Sequence, residues 1–469
     1  MDYVVKNKII VLSVLSSLMI GCTVKHELPN TQNTYEANEN ILLANKQLPS
    51  ILQNGFDIES RGLSLAEAIE LAQYYSLRTV SANSRLEEAD ARIDEMKATY
   101  YPKVNVLAKT RDKAFDRMSS ISRSNDEYAQ AQVSFQYNLL DFGRTRYSVD
   151  SAKQLRESAK YVADYEKNKV TFNVVKAYFN VRRYTQQKDY AQDYIKEMSQ
   201  LVNTIGVQVT GGLSPQSELI RAQLALTNAQ NASKSIELQL KKSIQELNSL
   251  LGRSAPTHPV KLKEVFITSQ LYDQILNNVL ENNPDIKSSE AQLNSARSEI
   301  EVAKSARYPS VDAVGSYSKP FQHPSDKNGN FIGGKVSLQV SMPVLDGGIN
   351  SSRISQAVAR YSYSMASYNQ LVRDIKEVSN NLVEDALNST DTYLIQSKAE
   401  DDASRTRKLY MDEFILGKRN LNDLLTVETD YFSAKVSRSS ALYDYYLSTL
   451  GLYLLADKLD DGMFKLSLK

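Results

Sequence analysis

The chain carries few side chains that could support catalysis or bind a metal. Its three histidines, His26, His258 and His323, are scattered, and its single cysteine, Cys22, cannot form an internal disulfide or a site with several cysteine ligands. The sequence contains no glycine-rich phosphate loop and no nucleophile with a recognisable base. It therefore predicts a protein that is not an enzyme and that has neither a cofactor nor a metal site.

Cys22 is the one residue whose position indicates a specific reaction. Two lysines precede the apolar run IIVLSVLSSLMI, which ends at Gly21 directly before the cysteine, the plan of a bacterial export signal. Cys22 resembles the acylated cysteine of bacterial lipoproteins, although Met19 stands where leucine is usual. We predict a signal peptide over residues 1–21 and lipid attachment at Cys22. Thr23 instead of aspartate favours sorting to the outer membrane, and a cleaved signal with an incidental cysteine is the alternative.

Charge and hydropathy exclude two large classes of protein. The formal net charge is +1, with acids and bases mixed along the chain, so nothing favours a nucleic-acid partner. The mean hydropathy is −0.41, and no apolar run after the N-terminus approaches the roughly 20 residues of a spanning helix. Any membrane crossing must therefore use another structure.

Helical periodicity begins after a polar N-terminal stretch. Residues 22–62 have little periodicity and are predicted to form an extended surface segment. Ser64 followed by Glu67 matches a capping box, and an amphipathic pattern continues from there. We predict one long helix that stops near Pro102.

The stretch YAQAQVSFQYNLLDFGRTR, Tyr128 to Arg146, has the alternation of a two-faced strand. One side carries Ala129, Ala131, Val133, Phe135, Tyr137 and Leu139, and the other carries Gln130, Gln132, Ser134, Gln136 and Asn138. About 60 residues without glycine or proline follow, a length of about 90 Å as one helix. The pattern predicts a strand that leads directly into a very long helix.

The chain consists of two copies of this plan. KATYYPKVNVLA returns as KSARYPSVDAVG, SFQYNLLDFGRTR as SLQVSMPVLDGGINSSR, and GGLSPQSEL as LGKRNLNDL. Each half is predicted to contain a helix, a strand, a loop, a strand, a long helix, a glycine turn and a helix. The predicted boundaries are residues 63–252 for the first repeat, 253–270 for an equatorial connector, 271–455 for the second repeat and 456–469 for a C-terminal equatorial segment.

Each half offers two strands of about 9 to 11 residues, the length that crosses an outer membrane when tilted. Four strands cannot close, and open edges in lipid are costly, so the strands must pair with strands of other chains. A trimer with about 12 strands is the smallest simple solution. The loops DKAFDRMSSISRSND and KPFQHPSDKNGNFIG are expected to face the exterior. Apolar positions in Val149–Val202 and Ala357–Leu416 are expected to form coiled-coil seams.

These landmarks resemble the TolC family of outer-membrane channel proteins over nearly the whole chain after about Gly62. The matching motifs are the repeated YP before a strand, LDFG and LDGG after one, and GLSPQSELIRAQLAL and FILGKRNLNDLLTVETDYFSAK at the helix turns. The resemblance implies a homotrimer with a membrane β-barrel, a long α-helical barrel and an equatorial region. It also implies passive conduction across the outer membrane of a Gram-negative bacterium, with a periplasmic adaptor and an inner-membrane ABC or proton-driven transporter as partners and with outer-membrane lipid around the barrel.

The resemblance carries site residues onto the two helix turns. It assigns the inter-helix ionic pair, an aromatic position and the acid of a pore ring to the periplasmic gate residues Glu218, Arg419, Phe414 and Asp423. It assigns contact with the adaptor to the turn residues Gly212, Leu213, Gly417 and Lys418. A second acid expected three residues after Asp423 is Thr426 here, which weakens the expected ring. The alternative is that these charges are ordinary solvated residues at helix tips.

The cargo stays open at this point. The turn FILGKRNLNDLLTVETDYF favours type I protein secretion, whereas the predicted lipid attachment favours drug or metal efflux with a proton-driven pump. A periplasmic coiled-coil protein without a pore is an alternative of a different class, although it has no use for paired alternating strands.

Overall fold

The computed structural model describes residues 63–109, 130–252, 264–320, 333–466 and 468. The predictions for the signal peptide, Cys22 and the N-terminal segment 22–62 lie outside these residues. So do the two loops between strands, over residues 110–129 and 321–332, and residues 253–263 of the predicted connector.

The two halves have the same order of elements. The first half contains α1 (Leu65–Tyr75), α2 (Leu77–Lys97), a 3₁₀ turn (Ala98–Tyr100), β1 (Lys103–Lys109), β2 (Gln130–Leu140), α3 (Arg144–Thr210) and α4 (Gln216–Leu251). The second half contains α5 (Ser269–Asn282), α6 (Pro284–Ser305), β3 (Ser310–Pro320), β4 (Gly333–Ser341), α7 (Ile349–Ile415) and α8 (Leu421–Leu455), and α9 (Leu459–Lys465) follows. None of the described helices is long and apolar enough to cross a membrane.

The first helix begins as predicted but does not continue to Pro102. Glu67 N–H donates to Ser64 Oγ over 3.3 Å and Ser64 N–H donates to Glu67 Oε2 over 2.8 Å, which confirms the capping box. The expectation of one long helix was wrong, because Ser76 is extended and its hydroxyl accepts from Thr79 N–H to start α2. The second repeat has the same break at Asn283, whose side chain caps α6.

The four strands form one antiparallel sheet in the order β1-β2-β3-β4. Since directly paired residues share a face, the register gives one apolar and one polar face. The apolar face carries Val104, Val106, Ala131, Val133, Phe135, Tyr137, Ala313, Gly315, Tyr317, Val336, Leu338 and Val340, with Lys319 as a charged exception. The other carries mainly Asn105, Gln132, Ser134, Gln136, Asn138, Asp312, Ser316, Ser318, Lys335, Ser337 and Gln339, with Leu107 and Val314 as exceptions. The alternation predicted for β2 and β4 is confirmed, and the valines of the apolar face are exposed in one chain.

An aspartate makes the corner from sheet to long helix in both halves. Asp141 accepts from Gly143 N–H over 3.0 Å and from Thr145 N–H over 2.8 Å. Asp346 accepts from Gly348 N–H over 2.9 Å and from the N–H two residues later over 3.0 Å. These bonds satisfy amides at the helix start that have no partner within the helix. The LDFG and LDGG motifs are therefore caps that join a strand rigidly to a helix.

The long helices α3 and α7 each contain 67 residues, a length of about 100 Å. Helix α3 packs between α2 and α6, and α6 packs against α7, so these helices form a row. The predicted seam is buried along much of α3, whereas α7 leaves many apolar side chains exposed in one chain, including Tyr363, Leu394, Ile395 and Leu409.

A buried core surrounds the C-terminal part of α8. Tyr445, Tyr446 and Leu450 are fully buried, and Tyr272 of α5 lies within hydrogen-bond distance of Thr449, at 3.1 Å. Helix α9 packs against α8 with Leu459 and Met463 buried, whereas Phe464 is exposed. This core anchors the middle of the long helices between the sheet and the helix turns.

Candidate functional site: the two helix turns

The hairpins α3–α4 and α7–α8 reverse through turns of the same geometry. Leu213 N–H donates to Gln208 O and Gly212 N–H to Val209 O, over 2.7 and 3.0 Å. Lys418 N–H donates to Glu413 O and Gly417 N–H to Phe414 O, over 2.8 and 2.9 Å. Both patterns are Schellman motifs, and both glycines have φ of +71°, which glycine adopts at little cost. The turns predicted from the repeated glycine landmarks are confirmed.

Phe414 lies in a buried cluster and not beside Arg419. The cluster joins the ends of the two hairpins and contains Tyr194, Met198, Leu201, Ile205, Ala222, Ala229, Phe414, Leu421, Leu424 and Val427. The last turn of α7 directs Phe414 into this cluster. The aromatic ring beside Arg419 is that of Tyr410, whose centroid is 4.0 Å from the guanidinium carbon. Sequence reasoning missed Tyr410, although it lies one helical turn before Phe414.

Arg419 is held by groups of its own hairpin. Its Nη2 lies 2.8 Å from Glu413 Oε2, and its Nη1 lies 3.4 Å from Asp423 Oδ2. The hydrogen bond to Glu413 is the main reason that the pKa of Arg419 is raised above its ordinary value. The guanidinium therefore joins the end of α7 to the start of α8 across the glycine turn.

The structure does not bring Glu218 and Arg419 together within one chain, because the carboxylate partners of Arg419 come from α7 and α8. Glu218 is the third residue of α4, and Asp423 is the third residue of α8. The two acids thus have equivalent positions after the two turns. The hairpins contact each other here through a hydrogen bond from Arg221 to Asn422.

The four turn residues assigned to adaptor contact are accessible in one chain. A Cβ built on Gly212 or Gly417 meets no atom within 4 Å. Leu213 is 83% exposed, and Ile415 and Leu416 beside the second turn are also largely exposed. The turns therefore present small and apolar groups to the outside of the chain.

A second ionic cluster, which sequence reasoning missed, lies further along the hairpins. Arg407 of α7 lies 3.3 Å from Glu428 of α8 and 3.9 Å from Glu197 of α3. It also lies over the ring of Tyr431, 4.8 Å from the centroid. Glu428 is 3% exposed, and its burial raises the pKa of its carboxyl group while Arg407 opposes that rise. The cluster ties three helices together above the turns.

The turns combine charged side chains with exposed apolar ones. Among residues 63–109, 130–252, 264–320 and 333–466, no group of His, Cys, Asp and Glu side chains could hold a metal ion. The charged groups at the turns are placed to attract or repel ions and neighbouring helices.

Comparisons with known proteins agree with this architecture. Nodulation protein T of Rhizobium leguminosarum bv. viciae is 22% identical over 332 residues, which cover 68% of this chain and 67% of the relative. Protein CyaE of Bordetella pertussis is 25% identical over 66% of each chain, just under two thirds of that protein. Outer membrane protein TolC of Vibrio cholerae is 22% identical over 83% of this chain and 89% of its own.

Solved structures show the same fold. The Campylobacter jejuni CmeC outer membrane channel superposes with a TM-score of 0.72 at 17% identity, over 84% of this chain and 86% of its own. CusC superposes with a TM-score of 0.74 at 17% identity, over 88% and 95%. The outer membrane efflux protein family matches residues 71–253 and again residues 275–456, one range in each repeat. The chain therefore belongs to the outer membrane efflux protein family, whose members are TolC-like outer-membrane channels and not enzymes.

Proposed function

We propose that the chain is the exit duct of a tripartite exporter and conducts cargo passively across the outer membrane. The observation that carries the proposal is the sheet, which has one exposed apolar face and one polar face and is joined by two capped corners to helices of about 100 Å. An apolar outer face and a polar inner face are what a membrane barrel needs. The long helices then extend the wall of the duct into the periplasm.

Three copies of the chain complete this wall. Strands β1 and β4 are edges of the sheet in one chain, and unpaired edges in lipid cost several kcal/mol for each unsatisfied group. Pairing β4 of one copy with β1 of the next closes about 12 strands in a trimer. The exposed apolar side chains of α7 supply further surface for a neighbouring copy.

The helix turns form the periplasmic gate and the contact with an adaptor. Threefold symmetry gathers the Asp423 carboxylates into a ring, with Glu218 at the equivalent position of the other hairpin. The exposed Leu213 and the open space over Gly212 and Gly417 suit docking of helical adaptor tips. An inner-membrane transporter supplies the energy.

For the cargo, we favour a protein exported with an ABC transporter, on the sequence of the second turn. Drug or metal efflux with a proton-driven pump is the alternative. A strain in which the gene for this protein is deleted distinguishes secretion from efflux. Loss of one protein from the culture medium, with unchanged susceptibility to drugs and metals, supports secretion, and the reverse pattern supports efflux.

Lipid attachment at Cys22 would anchor the N-terminus beside the barrel. Labelled palmitate should enter the wild-type protein but not a Cys22→Ser variant, and the variant should still assemble because its strands provide their own attachment. Equal labelling of both proteins contradicts the assignment.

The duct itself is tested with the purified protein. A trimer that resists SDS until heated and that forms ion channels in planar bilayers supports the proposal. A monomer that is extracted from cells without detergent contradicts it and favours a periplasmic coiled-coil protein.

A further inference from the structure

We propose that the duct contains a positively charged belt that binds anionic groups of the cargo, an inference that rests on the proposed function. The belt consists of Arg92 of α2, Arg144 of α3 and Arg353 and Arg360 of α7. All four line one depression of about 490 Å³ just below the sheet, and Glu299 of α6 is the one acid among its lining residues.

The depression lies on the concave side of the row of helices. Around α3, Ser151 contacts Ser295 of α6 at 2.9 Å and Arg156 contacts Asp90 of α2 at 3.0 Å. Since successive helix residues are separated by about 100°, five residues place the two neighbouring helices roughly 140° apart around α3. Because this angle is smaller than 180°, the side of α3 between the two neighbouring helices is the inner side of a curved row. Arg144 lies on that side of α3. A depression lined by all four helices at once fits the same side.

The belt has more positive than negative charge. Arg360 lies 3.8 Å from Glu299, in an exposed pair. The other three arginines make no ion pair with any residue that the structure describes. Asp141 and Asp346 border Arg144 and Arg353 at the corner above, where their carboxylates already accept backbone N–H bonds. Hence each chain presents arginine side chains that are free to contact a ligand.

The ligand class follows from guanidinium chemistry. Arginine binds carboxylate and phosphate groups through paired N–H donors. Arg353 and Arg360 are two turns apart on one face of α7, which spaces them by about 10 Å along the helix. In a threefold duct, the belt repeats around the lumen, and walls of low dielectric constant focus its potential. We therefore assign anionic solutes or anionic segments of a larger cargo to this level of the lumen.

Charge removal in planar bilayers tests the belt. The variant Arg144→Gln/Arg353→Gln/Arg360→Gln removes three positive charges and keeps polar side chains, and Arg146→Gln is the control because it removes an exposed arginine from the outer side of α3. The chloride-over-potassium permeability ratio should fall about threefold in the triple variant at low salt, and block by inorganic tripolyphosphate should weaken about tenfold. Both effects should disappear at 1 M salt, where the screening length is only about 3 Å.

The outcomes separate the belt from the duct. Channels whose permeability ratio and tripolyphosphate block are the same in the triple variant and the Arg146→Gln control overturn the belt and leave the duct intact. If the wild-type protein forms no channel, the proposed function fails. Binding of tripolyphosphate to the detergent-purified protein, measured by calorimetry, then tests whether the belt binds anions. Binding that is lost in the triple variant supports it, and equal or absent binding overturns it.

Discussion

Replacing Gly315 with alanine should weaken the sheet, because the ring of Phe135 occupies the space above this glycine. The two residues are paired directly across β2 and β3. A Cβ built on Gly315 lies 2.0 Å from Cε1 and 2.6 Å from Cζ of Phe135. Carbon atoms in contact prefer about 3.5–4.0 Å, so the ring must move by about 1.5 Å or rotate away. Gly315 does not have a positive φ, so the expected cost comes from the ring and not from the backbone.

The displaced ring sets the size of the effect. Overpacking of this kind costs about 1–3 kcal/mol per chain, partly because a ring about 30° from its preferred rotamer already costs about 0.5–1.5 kcal/mol. Gly334 provides a matched control, since it lies opposite Tyr317 on the same face and its added Cβ would be 3.8 Å from that ring. Gly334→Ala should therefore leave the sheet nearly unchanged.

The assay is the temperature at which the assembled protein dissociates on a gel, together with the denaturant midpoint of unfolding. Gly315→Ala should lower both, and Gly315→Ala/Phe135→Ala should be less destabilised than the two single changes predict when added. Gly315→Ala that is as stable as Gly334→Ala, or single effects that simply add, would refute the reasoning from the ring.

Three further predictions concern the helical part. Arg419→Ser should raise single-channel conductance and the preference for cations, because Asp423 loses its cationic partner; an Arg419→Ser channel identical to wild type contradicts the proposed gate. Gly417→Ala should destabilise the hairpin by about 1–2 kcal/mol in denaturant unfolding, since only the positive φ is strained, whereas Gly206→Ala within α3 should not destabilise it. The pKa of Glu428 is raised from 4.5, so ionisation opposes folding and wild-type stability should fall as pH rises from 4.5 through the raised pKa; the slope should be smaller in Glu428→Gln but not zero, because burial also raises the pKa of Asp285 and of Asp457, and an unchanged slope would exclude Glu428 as a source.

The strands were predictable because a sheet with two different faces leaves a period of two in the sequence. That pattern covers residues 130–139 without interruption, and the structure has a strand over Gln130–Leu140. The break at Ser76 was missed because serine also occurs within helices, so its role as a cap depends on a backbone angle that composition does not reveal. The equivalent break before Pro284 carries a clearer signal, since proline favours the first turn of a helix. An alignment of the two repeats would have indicated the same break at Ser76.

The turns were predictable and their side-chain partners were not. A repeated glycine indicates a helix end, and both glycines have the expected positive φ. The partners of Arg419 depend on how the chain folds back after Gly417, which brings Glu413 beside a residue six positions later. The resemblance carried the aromatic position over to Phe414 by its spacing from the glycine, and spacing does not tell which side of the last turn of α7 faces the neighbouring helices.

The helix turns and the region below the sheet differ in their arrangement of charge. At the turns, Arg419 is paired with Glu413 and Asp423 of its own hairpin, so positive and negative charges lie side by side. Below the sheet, the arginines outnumber the acid. In the proposed duct, removing either Arg419 or the belt arginines increases the preference for cations, so a permeability ratio alone cannot assign the effect to one end. The side on which tripolyphosphate is added can assign it, because tripolyphosphate added from the exterior reaches the belt first. Its block should weaken when the belt is neutralised and persist in Arg419→Ser, and the opposite result would place the anion site at the turns.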